Sequence, residues 1–162
     1  MKKWIKFTYF SSSSKDTFKL GEKIGKNAKV GDVILLSGDL GAGKTWLTKG
    51  IAKGLEVPEN YPVTSPTFVF VHTYPGRIPL HHIDLYRIEK GVDFSLLGLE
   101  EYLFGDGVTV VEWAEKLPKS LLPPKFLKIE IFFANSGRRL EFTTNIAHFK
   151  TIRYDLKRSK LC

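Results

Sequence analysis

Val33-Ile34-Leu35-Leu36-Ser37-Gly38-Asp39-Leu40-Gly41-Ala42-Gly43-Lys44-Thr45 passes from an unbroken apolar run into a glycine-rich turn that ends on Lys-Thr. The apolar run is what a parallel strand buried on both faces requires. From Gly38 to Thr45 the chain fills every fixed position of the phosphate-loop pattern G-x-x-x-x-G-K-[ST]. Trp46, Leu47, Ile51, Ala52 and Leu55 then recur at helical spacing, and Gly54 and Pro58 supply the stop. Strand, glycine loop and helix in this order predict a nucleoside triphosphate site. Gly41 and Gly43 turn the backbone without Cβ clashes, so that amide N–H groups from about Gly41 to Thr45 point at phosphate oxygens. The helix N-terminus adds its dipole there. Lys44 is placed to reach the β and γ phosphates, and the Thr45 hydroxyl to coordinate Mg²⁺. The nucleotide-contacting stretch is therefore expected to run over Asp39, Leu40, Gly41, Ala42, Gly43, Lys44, Thr45 and Trp46.

Working outward, Trp4 to Phe10 alternates as a strand, and Ser11 to Ser14 reads as a short loop or helix cap. Asp16 to Lys29 reads as a helix with Phe18, Leu20, Ile24 and Ala28 roughly on one side. Beyond a loop from Glu56 to Thr64, Phe68 to Tyr74 and Leu80 to Leu85 predict two strands joined through Pro75-Gly76-Arg77. A helix is expected near Asp93 to Phe104 and a buried strand at Val108 to Val111. Pro118 to Pro124 is a proline-bounded loop. Phe126 to Phe133 is expected to pair with Arg139 to Thr144 across Asn135-Ser136-Gly137. No internal repeat is visible. The order predicts an α/β, three-layer fold of the phosphate-loop NTPase kind, with a parallel core and antiparallel later strands in one mixed sheet. All 162 residues fit one domain, with residues 145–162 as a basic tail of helical character.

Composition narrows the classes. No apolar run approaches a membrane span, and Met-Lys-Lys-Trp-Ile-Lys lacks the apolar stretch of a signal peptide, so a cytoplasmic protein is expected. The single cysteine, Cys162, excludes a disulfide framework and a thiolate metal site. The formal charge of +8 is spread over the chain and densest at Lys150, Arg153, Lys157, Arg158 and Lys160. Those residues either touch phosphates or keep a terminal helix solvated.

Ligands of such sheets lie at the carboxyl ends of the strands. Asp84 closes Leu80-His81-His82-Ile83, and Glu112 closes Val108-Thr109-Val110-Val111 in the manner of a Walker B acid. Glu112 would bind the metal or orient a water, with Asp84 as the second candidate; Lys44, Asp84 and Glu112 form the catalytic set. His81 and His82 point to opposite faces of one strand, which favours packing over a shared ion. Thr64, Ser65 and Thr67 form either a switch sensing the γ-phosphate or a plain polar loop. Trp113, next along the strand from Glu112, is expected on the opposite face. Arg87 either charges the transition state or is solvated, and the paired Arg138-Arg139 are expected in a hairpin turn.

Four ordered segments, Gly38 to Thr45, Val63-Thr64-Ser65-Pro66-Thr67-Phe68, His82-Ile83-Asp84-Leu85-Tyr86-Arg87 and Val111-Glu112-Trp113, together resemble the signatures of the bacterial TsaE (YjeE) family over about residues 15 to 125. The resemblance implies a small ATPase that acts with TsaB and TsaD in forming threonylcarbamoyladenosine on tRNA, meeting tRNA through that complex. It implies Mg²⁺ on Thr45 and Glu112, phosphates on Lys44 and the loop amides, and functional sensitivity at Asp84 and Trp113. It also implies a switch role for Ser65 and Thr67. Trp46 departs from the family pattern, where a second small hydroxyl residue commonly follows Lys-Thr. Two other classes share the loop: a small-molecule kinase, which needs a lid of arginines, and a non-catalytic module gated by nucleotide.

Overall fold

The apolar run becomes β2 (Val33–Gly38), the central strand of a seven-stranded sheet, in a computed structural model that describes residues 3–66 and 69–160. Around it the chain supplies β1 (Ile5–Ser11), α1 (Ser14–Asn27), α2 (Lys44–Gly54), β3 (Val71–Tyr74) and β4 (Leu80–Asp84). These are followed by α3 (Glu100–Leu103), β5 (Val108–Glu112), β6 (Leu127–Ala134), β7 (Gly137–Thr144), α4 (Ala147–Lys150) and α5 (Ile152–Lys160). The strand order is β1-β7-β6-β2-β5-β4-β3. β2 pairs in parallel with β5 and β6, and β4 with β5, whereas β1/β7, β6/β7 and β3/β4 are antiparallel. The expected mixed sheet with a parallel core is therefore present.

Alternation along β2 builds the three layers. Ile34 and Leu36 face one side with Leu20, Ile24, Leu47, Ile51, Phe149 and Ile152, so that α1, α2, α4 and α5 cover that face. Val33 and Leu35 face the other side with Ile83, Leu85, Leu99, Leu103 and Val111. Each fully buried aliphatic side chain in these layers stabilises the fold by about 1.5–3 kcal/mol. Among the described residues no helix is long and apolar enough to cross a membrane.

α1 starts earlier than its periodicity suggests, because Ser13 is its cap: the Ser13 side chain accepts from Asp16 N at 3.0 Å, and Asp16 accepts in return from Ser12 N at 3.0 Å. The Ser13 cap, with Asp16 holding the residue before it, sets the helix start. Its far end is closed by Arg77, from the loop between β3 and β4, which donates to the Lys26 and Ala28 carbonyls at 3.1 and 3.0 Å and also to Gly25. The contact face of α1 is also not the one its apolar residues mark. Gly21 and Gly25 press on Gly50 and Gly54 of α2, so closely that a Cβ on Gly50 would stand 2.1 Å from the Phe18 carbonyl oxygen.

The helix expected near Asp93 to Phe104 is instead a single 3₁₀ turn, Phe94–Leu96, followed by the one-turn α3. Asp93 caps the first through Ser95 N at 3.0 Å, and Gly98 at φ +66° breaks the run. The β6–β7 connection is also tighter than expected. Ala134 pairs with Gly137, which leaves Asn135 and Ser136 as the turn and puts both arginines on β7. The tail forms α4 and α5; Thr67 and Cys162 lie outside the described residues, as do the side chains of Arg158 and Lys160.

Candidate functional site

The glycine turn leaves the carboxyl end of β2 and enters α2 with Gly38, Gly41 and Gly43 at φ +150°, +79° and +117°. Gly43 is the cap of α2 and a left-handed residue, so a side chain there would be strained. Lys44, the first helical residue, is only 5% exposed. Its Nζ donates to the carbonyl of Gly38 and, at 2.9 Å, to that of Asp39. The same ammonium lies 4.2 Å from the centre of the Trp113 ring. Burial holds the Lys44 ammonium below its ordinary pKa, against the opposing pull of Glu112, Glu115 and Asp84.

Oxygen atoms gather beside it. Thr45 Oγ1 donates to Glu112 Oε1 at 3.1 Å and stands 3.3 Å from Ser65 Oγ. Glu112, 2% exposed at the end of β5, has its other oxygen occupied by His82 Nε2 and, at 3.4 Å, by Thr48 Oγ1. Parallel pairing puts Asp84 directly beside Glu112. Asp84 accepts from Tyr86 N at 2.9 Å, and burial pushes its carboxyl above the ordinary range, with Glu112 adding repulsion. A cleft of about 320 Å³ joins Lys44, Thr45, Ser65, Asp84, Glu112 and Trp113. Leu40 and Trp46 also line it and are largely exposed. The arrangement offers one buried cation, two neighbouring carboxylates and two hydroxyls at the mouth of a glycine loop.

The family model described as "Threonylcarbamoyl adenosine biosynthesis protein TsaE" matches residues 11–140. The chain belongs to the TsaE family. It is similar to the tRNA threonylcarbamoyladenosine biosynthesis protein TsaE of Nostoc, 41% identical over 80% of each chain. The same-named protein of Bacillus subtilis is 47% identical over 69% of this chain and 68% of its own. The crystal structure of Bacillus subtilis YdiB superposes with a TM-score of 0.71 at 34% identity, covering 99% of this chain and 98% of that one.

Within the stretch that matches the TsaE family model, the structure brings together Lys44, Thr45, Ser65, Asp84 and Glu112. Trp113 lies on the face opposite Glu112, as expected, packed against the cluster that holds Val33, Leu35, Leu85 and Ile88. It has φ +59°, a left-handed conformation just past the end of β5, and at this edge of the sheet its ring also stands 4.2 Å from the Lys44 ammonium. Tyr86, 5.1 Å away between ring centres, packs against it. His81 and His82 do point to opposite faces: His81 meets Thr73 Oγ1 at 2.9 Å, while His82 reaches Glu112. His82 thus belongs to the site, which its sequence context did not reveal.

Arg138 also belongs there. From β7 its Nε donates to the Ala42 carbonyl at 3.0 Å and its guanidinium reaches Gly41 at 3.4 Å, tying the β6–β7 hairpin to the glycine loop. Arg139 pairs instead with Glu141 at 3.2 Å and lies over Phe132. Both arginines sit on β7 and not in the hairpin turn. Arg87 is exposed.

Proposed function

We propose that this chain binds ATP with Mg²⁺, hydrolyses it slowly by itself, and supports formation of threonylcarbamoyladenosine on tRNA together with TsaB and TsaD. The observation that carries the reading is the convergence of Lys44, Thr45 and Glu112 at the mouth of the loop. The donor set fits the metal. Mg²⁺ is a hard cation that takes oxygen ligands and commonly uses one or two protein groups alongside phosphates and water. Thr45 Oγ1 and Glu112 Oε1 are such a pair, 3.1 Å apart. When bound, the cation neutralises charge on the β and γ phosphoryl oxygens.

The chain's own residues do the rest. Lys44 exchanges the Gly38 and Asp39 carbonyls for phosphate oxygens, gaining a charged partner for an ammonium that burial disfavours. His82 and Thr48 hold one oxygen of Glu112 so that the other faces Thr45. Asp84, whose raised affinity for protons suits a transient acceptor, stands next to Glu112 to orient a water. Ser65 contacts Thr45 and would sense the γ-phosphate with Thr67. Arg138 keeps the loop in shape from outside the cleft.

The relatives named for tRNA threonylcarbamoyladenosine biosynthesis support this pathway, and in this reading tRNA is met through the complex with TsaB and TsaD. Calorimetric titration with MgATP tests its first step: Lys44→Ala should weaken binding by about 1.5–3 kcal/mol, the worth of hydrogen bonds to a charged group. Unchanged affinity would remove Lys44 from the site. Phosphate release by the protein alone and with TsaB–TsaD then tests the second step. No phosphate release in either condition would exclude hydrolysis.

A further inference from the structure

Away from the phosphate loop, two adjoining cavities of about 710 and 370 Å³ share Tyr9, Phe10 and Leu156 and form one groove along β1, flanked by α1 in the larger cavity and by α5 in the smaller. Its floor is apolar, with Tyr9, Leu20 and Leu156 all buried. Its walls are basic. Lys15, Lys19 and Lys23 line it from α1 at four-residue spacing, an axial stride of about 6 Å. Arg153 and Lys157 line it from α5. None of these five side chains forms an ion pair among the described residues. The one carboxylate in the lining, Asp16, is already taken by Tyr9 Oη at 2.7 Å and by Ser12 N at 3.0 Å.

Two further observations point to a ligand. Arg153 Nε is buried and meets no acceptor among the described residues, an expensive state for a charged donor. Aromatic rings stand with the cations: Phe10 on the rim and Tyr154, with the Arg153 guanidinium 4.8 Å over its ring, are each 56% exposed. Evenly spaced cations neutralise a phosphate backbone, and exposed rings accept unstacked bases. An acidic protein surface would satisfy the cations alone, and an anionic bilayer would meet one apolar ring on the rim, Phe10, with the other apolar residues down on the floor. Arg153, Leu156 and Lys157 also lie beyond residues 11–140, the part that defines family membership.

We propose that the groove along β1 binds single-stranded RNA directly, the phosphates on Lys15, Lys19, Lys23, Arg153 and Lys157 and a base on Phe10. This does not rest on the phosphate-loop reading, because the groove shares no cation with that site.

The test is fluorescence anisotropy of a labelled RNA stem-loop with an unpaired loop, titrated with full-length protein without nucleotide across a series of salt concentrations. Neutralisation of three or more phosphates predicts that log affinity falls with log salt at a slope of about −2 or steeper. Replacing Lys15, Lys19 and Lys23 together by Gln should weaken binding at least tenfold and flatten that slope, with the melting midpoint and MgATP affinity retained. Phe10→Ala should cost roughly tenfold with the slope unchanged. Lys44→Ala should bind the RNA as wild type does, which separates failure of this groove from failure of the ATP site. Should the triple variant unfold, Arg153→Gln with Lys157→Gln carries the same expectation. Several results would overturn the proposal: RNA affinity unchanged in the folded groove variants, displacement of RNA by polyglutamate at equal charge, equal affinity for phosphatidylglycerol vesicles, or loss of RNA binding in Lys44→Ala.

Discussion

Glu112 has two oxygens in different employment, and that division decides what a substitution there does. Oε2 is held by His82 and Thr48 and Oε1 meets Thr45, so Glu112→Gln keeps the size and one acceptor while removing the charge. Nucleotide binding should largely survive, and phosphate release should fall by about two orders of magnitude or more, as loss of one preorganised electrostatic group can cost. Wild-type turnover in that variant would hand the role to Asp84. Asp84 carries a stability signature of its own. Its folded pKa is raised by burial, so the folded chain holds the proton more tightly than the unfolded chain does. Stability should therefore fall as pH rises from about 4, the unfolded value, through the folded one, and stay lowered above it. Asp84→Asn carries no such charge. Without nucleotide or metal, it should melt above wild type at neutral pH, the difference closing towards acid; a pH-independent difference would contradict the assignment.

At the scale of elements, the contact between α1 and α2 is made by glycines and not by the apolar stripe. Gly50→Ala would raise helix propensity by roughly 1 kcal/mol in an exposed helix. Here its Cβ would meet the Phe18 carbonyl at 2.1 Å, backbone that cannot step aside cheaply. Urea unfolding should show a net loss of about 1–3 kcal/mol, the cost of overpacking; unchanged or higher stability would show that the helices separate freely. The damage should also reach the ligand, because α2 begins with Lys44 and Thr45 and any tilt moves both. The Gly-x-x-x-Gly spacing of residues 21, 25, 50 and 54 stands in the sequence. It leaves no mark on the hydrophobic periodicity, because glycine has no side chain to bury.

Across the whole molecule, the segment carrying Ser65 touches Thr45 inside the cleft, while exposed Leu40, Trp46 and Tyr86 rim the same opening. A surface built partly from the site can be read by a partner, and nucleotide and partner affinities are then linked reciprocally. Association with TsaB–TsaD should be tighter in an ATP analogue than in ADP by about 1–3 kcal/mol. Ser65→Ala should shrink that difference more than it weakens ATP binding. Equal sedimentation of the mixture in both nucleotides would discard the switch. What the sequence made legible is what local pattern controls: the buried β2 run, the glycine loop, and carboxylates closing β4 and β5. What stayed hidden depends on long-range register or on unusual backbone. His82 meets Glu112 only once β4 lies beside β5, Arg138 reaches the loop only once β7 is in place, and Trp113 meets Lys44 at the sheet edge from a left-handed residue.

The contact between Trp113 and Lys44 makes the chain its own optical gauge. An indole 4.2 Å from a buried ammonium emits in that ammonium's electric field, and any anion that draws Lys44 forward changes the field at the ring. Among the three tryptophans of the chain, Trp113 alone is bound to the lysine of the loop, so filling the cleft is written into its colour.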